Sequence, residues 1–352
     1  MSNATRWYCT VDAVKTAVGL AGADLDVLMA SYIEAASEDI EAILGRRFIP
    51  ETAIKYFRWP PKVGGGYVLQ LDDLDLIAVT LLQAAAQDAV PVTIVAADFF
   101  TEPVNTGPPY TRIEIDQSSA AAFQSGDTAQ RSIAVTGRWG YGEDAKAAGA
   151  LAEDDDGSET GLDVTDSSLI GVGDTILIGG ATGEAMFVSA KGSLDTTATT
   201  VALTANKAET TVGVNTGTLV KAGEVITVDS ERMLVESISG NNLTVQRAYD
   251  GSILALHVIT SKVYAPRTLT VVRAVNGTTA AAHATATAIK KYAPPADIME
   301  YCRAHAIAHH QQGRSGWTGV VPNTEGGAIE TKMFGLWAMK QALLEKYGKV
   351  SL

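Results

Sequence analysis

The side chains of this chain best suited to chemistry are its histidines, its two cysteines and its clustered carboxylates, and spacing decides what each set could do. His305, His309 and His310 form the one histidine cluster. His305 and His309 sit four residues apart, so on a helix they would share a face and could offer two imidazoles to a metal. A zinc hydrolase of the His-Glu-x-x-His type needs a glutamate base directly after the first histidine. Ala306 stands there and no third ligand lies nearby, so a packed or interfacial helix surface is expected. Glu153-Asp154-Asp155-Asp156 invites a calcium reading. Calcium loops place carboxylates at alternate positions around a glycine turn, whereas consecutive acids point apart. A solvated acidic linker over 143–162 is the expectation. Gly64-Gly65-Gly66 has no following Lys-Ser/Thr and opens no helix, so it predicts a hairpin tip and no phosphate loop. No Gly-x-Ser-x-Gly and no Cys-x-x-Cys occurs. Cys9 and Cys302 lie at opposite ends and, with no secretory signal in front of them, are expected as reduced thiols. The expectation is a non-enzyme with no catalytic set, no metal and no cofactor.

The most distinctive pattern is an internal repeat. Leu243–His257 (LTVQRAYDGSILALH) returns as Leu269–His283 (LTVVRAVNGTTAAAH), 26 residues later. Arg247 and His257 recur as Arg273 and His283, and Asp250-Gly251 is answered by Asn276-Gly277. Such repeats are normally supersecondary units copied for architecture. Asp-Gly and Asn-Gly favour tight hairpin turns, with Arg and His bonding backbone across the strands. A weaker outer repeat relates Gly173-Asp174 to Gly223-Glu224, each followed by a glutamate (Glu184, Glu231) and an apolar run. It suggests two related β units, about 163–215 and 216–293.

Three zones must position these residues. In the first, a short helix is expected at about Val11–Val18. A longer helix of about six turns follows, with Asp24 as its N-cap and Gly45 and Pro50 at its end. Its apolar stripe runs through Leu25, Met29, Ile33, Ala36, Ile40 and Leu44. Short β-rich runs follow at Tyr56–Trp59, Tyr67–Leu71, Ala78–Leu82, Phe99-Phe100, Arg112–Ile115 and Ile133–Thr136. The second zone, about 143–293, opens with the acidic linker and from 163 to 293 reads as an all-β module. In the third, Pro294-Pro295 open a helix carrying Ile298, Tyr301, Cys302 and His305. A loop at Gly313–Gly327 precedes a last helix at about Ile329–Tyr347. There Met333, Phe334, Trp337, Met339 and Leu343 are aromatic or pliable residues of the kind found at interface cores, and form the candidate subunit or partner interface. The fold class expected is α+β: a helical connector domain with a small antiparallel β element (1–142 and 294–352), interrupted by an all-β insertion.

Composition narrows the function classes. The chain has 352 residues, 46% of them hydrophobic, enough for two or three folded domains. No apolar run reaches the roughly 18–20 residues of a membrane span. With 27 basic and 40 acidic side chains the net charge is −13. That argues against gripping a phosphate backbone, but suits a wall past which nucleic acid slides.

The outer zones resemble the head–tail connector (adaptor) proteins of tailed bacteriophages. The resemblance is carried by Ile43-Leu44-Gly45-Arg46-Arg47-Phe48-Ile49-Pro50, by Leu69-Gln70-Leu71-Asp72-Asp73-Leu74 and by Pro108-Pro109-Tyr110-Thr111-Arg112-Ile113. Its sharpest parts are Val135-Thr136-Gly137-Arg138-Trp139-Gly140-Tyr141 and Pro294-Pro295-Ala296-Asp297-Ile298. The repeat-bearing stretch is similar to modules inserted at that point in phage proteins, and simple adaptors lack a β zone of this size. The resemblance implies a virion protein of the neck, made in the bacterial host cytoplasm. It implies a homo-oligomeric ring, usually twelve-fold, bound to the portal protein, with DNA in transient passage, and docking a downstream stopper or tail-completion protein. The C-terminal helix is the part expected to reach the portal, and the insertion is expected to project outward. A surface- or carbohydrate-binding β module of a phage particle is the alternative. Such a module wants an exposed aromatic platform, and the β zone has Phe187, Tyr249 and Tyr264 but no tryptophan.

Overall fold

A computed structural model describes residues 5–60, 66–314, 320–322, 328–330 and 334–349. The Gly64–Gly65 part of the expected hairpin tip lies outside them. The four α-helices among these residues pack around one core: α1 (Val11–Val18), α2 (Asp26–Leu44), α3 (Ala296–Arg314) and α4 (Phe334–Tyr347). Thr10 caps α1 by accepting from the Ala13 amide at 3.3 Å, and Gly19 ends it in the left-handed region. Gly45 ends α2 the same way, at φ 62°. The expected Asp24 cap is not formed. Leu25 occupies the cap position without a side-chain bond, and the next carboxylate, Asp26, faces Lys15 at 2.8 Å. Met29, Ile33, Ala36, Ile40 and Leu44 meet Ile298, Tyr301, Cys302, Leu343 and Tyr347. The two ends of the chain therefore fold as one body. The last helix begins later than expected, because Ala328–Glu330 pairs with Val320–Pro322 as a two-stranded ribbon.

The expected fold class is overturned. The chain is mostly β, and the outer zones are not a helical domain with a small β element. Glu51–Phe57, Ile133–Trp139, Leu76–Ala84 and Val92–Ile94 form a four-stranded antiparallel sheet in that order. Val68–Gln70, Arg112–Ile115 and Phe99–Glu102 form a three-stranded sheet. These sheets enclose a second core, with Phe57, Trp59, Leu69, Leu71, Ile113, Ile133, Val135 and Trp139 buried. Each strand is too short to bury much alone. Alternation gives each one apolar face, and seven such faces make a core to rival that of the helices.

The remaining strands form one ten-stranded antiparallel sheet between residues 145 and 292. Its pairing resolves into two similar six-stranded units. In the first, Gly161–Asp163 pairs with the C-terminal half of Lys262–Val272, which pairs with the N-terminal half of Glu184–Ala198. Thr175–Ile178, Ala288–Tyr292 and Ala145–Ala150 follow in order. In the second, Thr211–Gly213, Asn242–Gln246, Glu231–Ser239 and Val225–Val228 run in the same order. They continue into the N-terminal half of Lys262–Val272 and the C-terminal half of Glu184–Ala198. Isolated bridges curl each unit towards a barrel: Leu151 with Val164 in the first, Thr199 with Val214 in the second. Each has its own core, Ile176, Met186 and Leu269 in one and Ile226, Met233 and Val263 in the other.

The units are nested, not the consecutive halves expected. The second unit, a guest, occupies the hairpin between the fourth and fifth strands of the first, its host. In the guest that hairpin is a short turn with Gly240 at φ 59°. The two long strands run through both units, and register shifts around Ala190 and Leu194 mark the crossing. The stretch 143–162 is more than a linker, although Glu153, Asp154 and Asp156 are exposed. Ala145–Ala150 is a sheet strand and Asp155 is buried.

Candidate functional site

Nesting brings together residues that two separate repeats had distributed along the chain. In the guest barrel Glu231 opens the fourth strand, Arg247 follows the fifth and His257 precedes the last. The Arg247 guanidinium donates to both Glu231 oxygens, Nε at 2.7 Å and Nη2 at 2.8 Å. Both side chains are fully buried. The Ala248 and Ala255 amides donate to the same carboxylate at 2.9 and 3.0 Å. Arg247 also donates to the Ala255 carbonyl at 2.6 Å. His257 Nε2 lies 2.9 Å from Glu231 and its Nδ1 2.6 Å from Asp229. In the host barrel Glu184, Arg273 and His283 repeat the arrangement. Arg273 holds Glu184 at 3.0 and 2.6 Å, the Ala274 and Ala281 amides donate at 3.0 and 3.1 Å, and His283 Nε2 lies at 3.3 Å. The second acid differs: Arg273 takes Asp155 at 2.6 Å, while in the guest Asp229 faces the histidine.

Burial alone would push these carboxyls up. Donors from arginine and backbone outweigh it, so Glu184 is held below its ordinary range and Glu231 falls to about 2. A carboxylate so saturated with donors is a poor base, and these clasps fasten the barrels. The Asp-Gly and Asn-Gly dipeptides do not make two-residue hairpins. Asp250 and Asn276, at φ 49° and 54°, lie in short 3₁₀ turns that swing the chain so that the arginine reaches the strand-opening glutamate. The glutamates were visible in the outer repeat, and the arginines and histidines in the 26-residue repeat. Spacing could not join them, because Glu231 and Arg247 are 16 residues apart but Glu184 and Arg273 are 89.

A further buried pair spans the two barrels. Arg267 donates to Glu224 at 2.7 and 2.9 Å, and the Ser167 amide of the host barrel reaches Glu224 at 3.2 Å. The β domain also rests on the frame. Trp7 packs edge-on against Phe187 with ring centres 5.0 Å apart, and Arg6 reaches Asn276. Asp250 accepts from the Gly22 amide at 2.9 Å, and Arg138 donates to the Ala181 carbonyl at 2.6 Å.

The two barrels share a loop that runs from their 3₁₀ turn past their histidine, and differ in what it displays. The guest loop exposes Ile253 by 82%, Leu256 by 66%, Val258 by 60% and Ile259 by 56%. At the same repeat positions the host barrel carries Thr279, Ala282, Ala284 and Thr285, also exposed. The same loop folds without large apolar side chains, so they are not there for the loop's own stability.

The other sequence candidates fall as follows. Met333 lies outside the described residues, as does the side chain of Phe334. Leu343 is buried in the chain's own helical core, which removes it as a free interface residue, and the half-buried Met339 packs against that core. Trp337 is 63% exposed. The His305 and His309 rings pack at a tilt with centres 4.7 Å apart, and His309 stacks on Tyr32 of α2 at 5.8 Å. They serve helix packing, and burial lowers the pKa of His305. Asp155, Asp156 and Glu159 are the one carboxylate group among the described residues close enough to share a cation, within 4.8 Å. Arg273 and the Gly157 amide both donate to Asp155 Oδ1. A cleft of about 470 Å³ beside α2 includes Arg46, Arg47, Glu51, Lys55 and Asp75 in its lining. Its charges pair among themselves, Arg46 with Asp75 at 2.6 Å and Lys55 with Glu51 at 2.7 Å.

No helix of the described residues is long and apolar enough to cross a membrane. Comparison with protein-family models, with curated proteins and with solved structures found no match for this chain.

Proposed function

We propose that this protein is a virion structural adaptor that assembles head to tail into a ring beneath the portal, lines part of the DNA channel and docks the next neck or tail protein. The observation that carries the reading is the exposed apolar loop of the guest barrel set against its plain counterpart in the host barrel. A surface kept apolar where the fold does not require it is a surface for a partner. Ring closure repeats one heterologous contact, so the patch needs a different apolar surface on the neighbour. Ile54 and Tyr56 on the outer face of the four-stranded sheet are half-exposed and suit that part.

The motifs behind the connector resemblance support the same reading. Trp139 is buried and donates to the Ala53 carbonyl at 3.0 Å. The Tyr141 ring packs on Phe48 and Tyr347, and Pro295 opens α3 by accepting from Ile298. The motifs on either side of the β domain thus belong to the frame's own packing. The charge of −13 favours passage of DNA over its capture.

Electron microscopy of the chain, alone and mixed with its portal protein, tests the proposal. Rings, twelve-fold if the resemblance holds in detail, are expected. A second sample carries Ile253→Thr, Leu256→Ala, Val258→Ala and Ile259→Thr, the host-barrel residues grafted onto the guest loop. It should keep the wild-type melting temperature and lose assembly. A wild-type chain that stays monomeric with and without portal overturns the reading.

A further inference from the structure

The two cysteines, 293 residues apart in sequence, meet in the helical core with their sulfurs 3.4 Å apart. Cys302 is completely buried on α3, and Cys9 is partly exposed. Ser37 of α2 lies 3.4 Å from the Cys302 sulfur. Cys9 ends the segment Arg6–Cys9, which works as a strap. Trp7 of the strap grips Phe187 of the host barrel. Arg6 and Tyr8 bond Glu41 of α2, at 3.0 and 2.8 Å. The Tyr8 amide donates to Ser37 at 3.1 Å. The strap joins the frame to the β domain, and its last residue touches a thiol fixed on α3.

We infer that Cys9 and Cys302 are a dithiol latch, open while the chain is reduced and closed to an intramolecular disulfide once it meets an oxidising medium, fastening the strap to α3. The setting rests on the virion reading: a chain made in a reducing cytoplasm and carried out of the cell in a particle crosses that boundary once. The chemistry does not depend on that reading.

A disulfide oxidant such as oxidised glutathione reaches only the partly exposed thiol. Cys9, losing its proton, attacks one glutathione sulfur, and one glutathione leaves as a thiol. The Cys302 sulfur, as thiolate, then attacks the Cys9 sulfur and expels the second glutathione, which takes up a proton. Two protein thiols are oxidised and one glutathione disulfide is reduced to two thiols. The hydrogen bond shared with Cys302, and burial, push the Cys9 thiol well above its ordinary pKa and slow the first attack; once Cys9 is capped, the Cys302 sulfur already stands beside the sulfur it must attack, 3.4 Å away before the reaction.

The test is to incubate the reduced, native full-length chain with oxidised glutathione, block residual thiols with iodoacetamide and analyse intact and digested protein by mass spectrometry. The wild type should lose both free thiols, fall in mass by two hydrogens and yield one cross-linked peptide pair containing Cys9 and Cys302. Its melting temperature should rise and return on adding reductant. Cys302→Ser should stop at a stable glutathione adduct on Cys9, and Cys9→Ser should leave Cys302 unreacted. The latch is overturned if the native wild type keeps both thiols, accumulates the Cys9 adduct, or cross-links between chains. All of these readouts are independent of ring formation, so failed assembly and a failed latch are told apart.

Discussion

Replacing Arg247 by methionine is the sharpest test of the clasp. Methionine roughly fills the arginine stem's volume, so the change mainly removes charge and donors. It leaves Glu231 fully buried, with its two amide donors and His257 but no guanidinium. Removing one partner of a buried ion pair costs about 3–5 kcal/mol, because the remaining charge keeps its desolvation penalty. The Ala255 carbonyl also loses its 2.6 Å donor. A value near the upper end, about 4–5 kcal/mol, is therefore expected. For a unit of this size that lowers the melting temperature by roughly 8–20 °C. Urea unfolding of the full chain, followed by far-ultraviolet circular dichroism, measures it. Arg247→Lys should fall between wild type and Arg247→Met, since it restores charge but not the two-pronged geometry. Arg273→Met should cost at least as much, because it strands both Glu184 and Asp155. The two losses should add, because the clasps serve separate cores. A cost below about 1 kcal/mol for Arg247→Met would refute the claim that this pair fastens the barrel.

Two other expectations follow from the same geometry. The folded-state pKa of Glu231, about 2, is depressed from 4.5, so its contribution is complete above about pH 4.5 and is lost as pH falls towards 2. The loss is on the order of 3 kcal/mol, with Glu184 and Asp155 acting in the same direction; acid titration of the urea midpoint that stays flat from pH 5 to 2.5 would contradict it. The repeat-related glycines should also separate, since both have φ near +75°, but a Cβ on Gly277 would lie 2.0 Å from the Thr52 carbonyl oxygen and one on Gly251 3.3 Å from Ala21. Gly277→Ala should therefore destabilise more than Gly251→Ala and loosen the β domain from the frame, read as faster limited proteolysis between residues 140 and 150.

Local signals in the sequence were reliable where the structure they encode is local. The Val11–Val18 helix, the glycine end of α2 and the proline start of α3 follow from caps and periodicity over a few residues. The 26-residue repeat also announced a copied unit. The weight of β structure in the outer zones was not legible, because strands such as Val68–Gln70 and Val92–Ile94 are three residues long and carry almost no period of their own. The candidate interface in the last helix was misjudged for Leu343, since an apolar side chain in a sequence does not say which molecule's core it enters.

By itself, then, the sequence determined which residues are copies of which: Arg247 and Arg273, His257 and His283, Glu231 and Glu184. Only the tertiary structure decided that these copies form two clasps, one barrel inside a hairpin of the other, and that Cys9 meets Cys302. The physical reason is that strand pairing and burial act between surfaces, whatever the length of chain between them. A 16-residue and an 89-residue separation end in the same hydrogen bonds, and periodicity along the chain carries no record of that closure.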